Sequence, residues 1–124
     1  MDHLVVTNDI HGTGGLIPVK IDEILYFKSK PEKMHIKIVT STADFDAMGS
    51  IKYWIDMLNN SGYHFKLIDR GTVVNVNKVA GINEEEKTLM FAGRNTGKEC
   101  TIAYHRYRQV RDELIGMNGR ICVI

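Results

Sequence analysis

The segment Gly93-Arg94-Asn95-Thr96-Gly97-Lys98-Glu99 is the nearest this chain comes to a phosphate-cradling loop. It is one residue short of the G-x-x-x-x-G-K pattern, and Glu99 stands where a Mg²⁺-binding hydroxyl belongs. The segment lies between two strand-like runs, so it closes a hairpin and does not open a helix whose N–H groups would face a phosphate. A plain turn is the better reading. His3, His11, His35, His64 and His105 include no His-x-x-x-His pair, so no zinc-ligand spacing is present. Asp44 with Asp46, and Glu84-Glu85-Glu86, pair carboxylates in polar, turn-like surroundings that offer none of the burial acid–base catalysis requires. Cys100 and Cys122 have neither a Cys-x-x-Cys partner nor a histidine at a recognisable spacing, which argues against a thiol nucleophile. The expectation is a protein that is not an enzyme and has no metal or cofactor.

What remains is positive charge gathered at loop and helix ends: Lys28, Lys30 and Lys33, then Arg70, then Arg106, Arg108 and Arg111. Residues 93–124 hold six basic side chains (Arg94, Lys98, Arg106, Arg108, Arg111, Arg120) and three acidic ones (Glu99, Asp112, Glu113), a local +3 against −2 for the rest. Arginine forks in loops suit guanine edges and phosphates, whereas a basic helix face with nothing else is a solvated surface. The chain as a whole carries 16 Lys+Arg against 15 Asp+Glu, which excludes a histone-like coat and an acidic disordered tail. A charged partner must be met by a local patch.

The elements that position these residues form one domain, since 124 residues at 44% hydrophobic leave no room for two. No stretch approaches the roughly 18 apolar residues of a membrane helix, and Met1 to Val6 carries no cationic leader. With only two cysteines the expected home is a reducing cytoplasm, away from membranes. Leu4-Val5-Val6 and Leu16 to Val19 read as strands joined by the glycine loop Gly12 to Gly15. Ile24 to Phe27 and the alternating His35-Ile36-Lys37-Ile38-Val39 read as a hairpin with one buried face, followed by a weaker strand at Thr42 to Phe45.

A helix starts after Gly49, capped by Ser50, with Ile51, Trp54, Ile55 and Leu58 at i, i+3, i+4 and i+7, and ends at Asn59-Asn60-Ser61-Gly62. That spacing makes Trp54 a core residue, not a ligand platform. Short extended pieces run from Phe65 to Gly81. Val79 to Asn83 and Thr88 to Ala92 flank the acidic turn Glu84 to Lys87. A last helix spans His105 to Leu114 with Tyr107, Val110 and Leu114 on one stripe, while Tyr104 at its start is left open. The apolar tail Ile121 to Ile124 suits an edge strand or a dimer contact. Mostly antiparallel strands with two short helices is the result, a mainly β (α+β) fold.

This order resembles the LytTR family of bacterial DNA-binding domains. Ile17 to Phe27, with Asp22-Glu23-Ile24 and Tyr26, is similar to the family's opening strands; Phe65 to Ile82 is similar to its central motif; Ile102 to Leu114 is similar to its closing segment. The resemblance covers residues 16–115, leaving 1–15 as a lead-in and 116–124 as a tail, with no receiver domain in this sequence. It implies an elongated fold of small antiparallel sheets whose loops enter successive major grooves of direct-repeat promoter sites. The first base-reading loop then corresponds to Lys33, Met34 and His35, the second to Arg70, and the third to His105 or Arg106. Lys30, Arg108 and also Lys78 correspond to phosphate contacts, and Asn75 to a strand-end residue that bonds the backbone.

Five positions depart from the family pattern. Leu67 and Asp69 replace the usual Arg and His, and Gly71 and Thr72 replace the usual Ser and aromatic; in the closing segment Ala103 stands for the usual Ser. The function implied is sequence-specific binding of double-stranded DNA and transcription regulation, with a homodimer on tandem repeats or a regulatory protein partner as further expectations. The alternative is a protein-interaction module or antagonist that keeps the fold and has lost strong DNA binding.

Overall fold

The computed structural model describes residues 3–7, 14–30, 35–91 and 100–124. β1 (His3–Val6) pairs antiparallel with β2 (Ile17–Lys20), Val6 facing Ile17, and alternate side chains of β1 are buried. A 3-10 turn at Ile21–Glu23 leads into a five-stranded antiparallel sheet of order β5-β4-β3-β7-β6. Its strands are β3 (Ile24–Lys30), β4 (His35–Thr40), β5 (Asp44–Met48), β6 (Phe65–Asp69) and β7 (Thr72–Asn75), with helix α1 (Ile51–Asn60) inserted between β5 and β6. After a second 3-10 turn at Val76–Lys78, β8 (Val79–Asn83), β9 (Thr88–Phe91) and β10 (Cys100–Thr101) form a second sheet. A third 3-10 turn at Tyr104–Arg106, helix α2 (Tyr107–Met117) and β11 (Cys122–Val123) complete the order.

The hairpin of β3 and β4 is covered on both faces, not one. Phe27, Ile36, Ile38 and Val73 pack with Leu4, Val19, Leu58 and Phe65 under β1, β2 and α1. Tyr26, Val39 and Val74 pack on the other side with Ile82, Leu89, Tyr107, Val110 and Leu114, beneath the second sheet and α2. Alternation along a strand sends neighbouring side chains to opposite faces, and β3, central in the sheet, is buried on both. An apolar run such as Ile24 to Phe27 is what such a strand needs.

α1 forms as its sequence dictates. Ser50 Oγ accepts the Tyr53 N–H at 3.1 Å, and Gly49 before it sits at φ +116° with the Trp54 ring close by. Trp54 is half-buried against the core, and its indole N–H donates to Met48 O at 3.0 Å. At the far end Asn59 brackets Phe65, donating to its carbonyl at 3.0 Å and accepting its N–H at 2.8 Å. β5 begins two residues later than the sequence suggests and runs to Met48. Its aspartates are poor strand formers, but Asp46 is taken up by His35 on β4, and its backbone exchanges two hydrogen bonds with Thr7.

α2 is preceded by the 3-10 turn, so it starts at Tyr107 and not at His105. The tail is an edge strand: β11 runs parallel to β8, and Ile124 exchanges hydrogen bonds with Ile82 O and Glu84 N at 2.9 Å each. Asn118 Nδ2 secures the approach by donating to Val76 O at 3.0 Å. Among the described residues no helix is long and apolar enough to cross a membrane.

Candidate nucleic-acid interface

Strand register brings the separate basic segments to one end of the five-stranded sheet. β3 and β7 pair with Lys28 opposite Thr72, and one step further Ser29 N–H donates to Gly71 O at 2.8 Å. That bond sets Lys30, the last residue of β3, beside the β6–β7 turn that carries Arg70. A Cβ at Gly71 would meet the Ser29 Cβ at 3.4 Å, about van der Waals contact. On the other side, Ala103 N–H donates to Ile68 O at 3.3 Å, docking the start of the third 3-10 turn on β6. The turn that carries His105 and Arg106 is thereby tied to β6, the strand that leads into the Arg70 turn, although the two lie some 35 residues apart in sequence.

Arg70, His105 and Arg108 are exposed and Lys30 and Arg106 half-buried. Among the described residues no ion pair engages Lys30, Arg70, His105 or Arg108. Basic side chains gathered at one end of a sheet, with no carboxylate partner among the described residues, are what a polyanion requires. Arg111 is different: it pairs with Glu84 at 2.7 Å and with Asp112 at 3.0 Å, so its charge is spent within the protein. Lys66 is likewise held by Glu113 at 2.8 Å, a bond that ties β6 to α2 and holds the Glu113 carboxyl below its ordinary range.

His35 turns inward. It is 7% exposed, and its Nε2 lies 3.1 Å from Asp46 Oδ1 across β4 and β5, which leaves Nδ1 as a buried group with no partner among the described residues. The imidazole fixes the root of the β3–β4 connection and is not presented at its tip. Lys33 and Met34 lie outside the described residues, as does the glycine-rich segment 93–99. The departures from the family pattern have structural employment: Leu67 packs on the core, and Asp69 Oδ1 accepts the N–H of Arg70 at 2.7 Å, closing the turn that presents it. Asn75 is buried, its amide donating to Ile24 O at 2.9 Å and Ile21 O at 3.5 Å. Lys78 is half-buried in the second 3-10 turn.

Residues 14–115 match the family model of the LytTr DNA-binding domain. The chain belongs to the LytTR family. No curated protein matches it. Its fold is similar to the LytTr DNA-binding domain of a Bacillus cereus protein named as a methyl-accepting/DNA response regulator, with a TM-score of 0.68 over 94% of this chain and 98% of that one, at 18% identity. Membership of the LytTR family assigns the chain to DNA binding and transcription regulation.

Sequence reasoning missed Lys87, which follows three glutamates and reads as part of an acidic turn. In the structure its backbone takes φ +58°, its carbonyl accepts the Ile102 N–H at 2.8 Å, and its ammonium lies 4.3 Å from the Tyr107 ring centroid and 5.5 Å from that of Tyr104. These residues, with Glu84, His105, Arg108 and Arg111, line a cleft of about 420 Å³ beside the basic end of the sheet. Burial pushes the Tyr107 hydroxyl pKa up. No cluster of metal-ligating side chains occurs among the described residues.

Proposed function

We propose that this LytTR domain reads specific double-stranded DNA through loops set in successive major grooves of direct-repeat promoter sites. The observation that carries the reading is the pair of main-chain bonds, Ser29 to Gly71 and Ala103 to Ile68, that tie the end of β3 to the Arg70 turn and the Tyr104–Arg106 turn to β6. Rigid placement matters because a base contact must be held to a fraction of an ångström to discriminate. Arg70 has the reach and the two-pronged geometry for a guanine edge. His105 and Arg106 supply the third contact, and Lys33 and Met34 the first. Lys30 and Arg108 hold phosphates and set register without reading sequence. His35 acts behind the first loop, through Asp46.

The rival, an interaction module that has lost DNA contacts, draws on Leu67, Asp69 and Gly71. In this chain Leu67 packs on the core and Asp69 accepts the Arg70 N–H, so two of the three also have structural roles. Selection from a randomised duplex library tests the proposal. Recovery of a direct repeat spaced by whole helical turns supports it, and no enrichment at low salt refutes it.

A further inference from the structure

Tyr104 is 82% exposed, the most exposed of the large apolar or aromatic side chains among the described residues. It immediately precedes His105 and Arg106, and its main chain is held by the docking of Ala103 on β6. Lys87 lies 5.5 Å from the ring centroid, within cation–π range, and biases where the ring sits. Lys87 is itself fixed three ways: its ammonium donates to Glu84 O at 3.0 Å and caps the Tyr107 ring, and its carbonyl takes the Ile102 N–H. Its left-handed φ of +58° is one that a long side chain rarely adopts, so the turn holds a strained backbone that delivers this cation.

We propose that Tyr104 is a specificity-determining residue that contacts a thymine methyl group in the major groove, and that Lys87 is the positioning residue that holds its ring for that contact. The inference rests on the DNA-reading proposal above. The neighbours His105 and Arg106 end in hydrogen-bonding nitrogens, whereas Tyr104 offers a large ring face. The C5-methyl of thymine is the apolar feature that base pairs present in the major groove, so an exposed ring next to reading side chains matches thymine. One face of the ring is occupied by the cation, which leaves the other face and the edge for DNA.

The test uses the duplex recovered by selection, with each thymine replaced in turn by deoxyuridine, which lacks only the methyl. The wild type should lose roughly fourfold in affinity at one position per half-site, the worth of one buried methyl. Tyr104→Ala should bind the parent duplex more weakly and show no further loss with deoxyuridine at that position. Lys87→Asn, which tolerates the left-handed backbone and removes the cation, should blunt the discrimination, and Lys87→Arg should restore it. Thermal melting confirms that each variant is folded. Specific binding by the wild type with no deoxyuridine effect anywhere, or full discrimination by Tyr104→Ala, overturns this inference while leaving DNA reading intact. Absence of specific binding by the wild type overturns both.

Discussion

Replacing Asn75 by alanine tests the link between the central motif and the strand that presents Lys30. The amide is 5% exposed and donates to Ile24 O at 2.9 Å, with a marginal second bond to Ile21 O at 3.5 Å. The well-formed bond is worth about 1 kcal/mol net, and the carbonyl left without its donor in the core costs about 1–2 kcal/mol more. A loss of about 2–3 kcal/mol follows. For a domain of this size a urea slope of about 1.5 kcal/mol/M converts that into a midpoint lower by about 1.3–2 M. Asn75→Asp should be at least as damaging, because it sets an acceptor against two acceptors in nearly the same volume. Equilibrium unfolding followed by tryptophan fluorescence measures both, since Trp54 packs on the core that Phe65 and Val73 share. A midpoint for Asn75→Ala within 0.3 M of wild type, with an unchanged slope, would refute the reasoning (threshold roughly the error of such fits).

Four further outcomes follow from the same geometry. Arg70→Ala should cost about 1–3 kcal/mol at the selected site and relax preference at one base pair, whereas Lys30→Ala should weaken all sequences alike and reduce the salt slope by about 1; titrations on selected and random duplexes separate them. Ser50→Ala removes the cap on Tyr53 N–H and should lower stability by about 1 kcal/mol in the same urea assay. Cys100 is buried, and burial pushes its thiol up to about 12, so at neutral pH a thiol reagent should modify exposed Cys122 and spare Cys100 until the protein unfolds. Glu113 is held below its ordinary pKa by Lys66, so the stability this pair adds is present above the unfolded glutamate value of about 4.3 and lost as pH falls through the lower folded value. Lys66→Met should flatten that part of the acid limb in a pH series of melts.

Much of this was legible in the chain. The Ser50 cap and the 3.6-residue spacing of Ile51, Trp54, Ile55 and Leu58 mark α1, and its Asn-Asn-Ser-Gly end is where the helix stops. The glycine-linked β1–β2 pair, the β8–β9 hairpin about an acidic turn and the edge strand at the tail could be read locally, while the backbone role of Asn75 came from the family resemblance. What escaped depends on contacts far apart in sequence. Nothing near Asp46 reveals that His35 and Thr7 will absorb it into a strand. The inward turn of His35 needs the register of β4 on β5, and the two-sided burial of β3 needs α2, some 80 residues away, to close the second face. Lys87 was hidden by its acidic neighbours, since only the folded turn aims its ammonium at Tyr104 and Tyr107.

Methylation interference on the selected direct repeat tests the central claim most directly. Dimethyl sulfate marks guanine N7, which lies in the major groove, and adenine N3, which lies in the minor groove. Loops reading successive major grooves predict that guanine N7 methylation abolishes binding at clusters about one helical turn apart, and that Arg70→Ala removes the interference at one guanine in each cluster. Interference confined to adenine N3, or none at any guanine, would contradict the account.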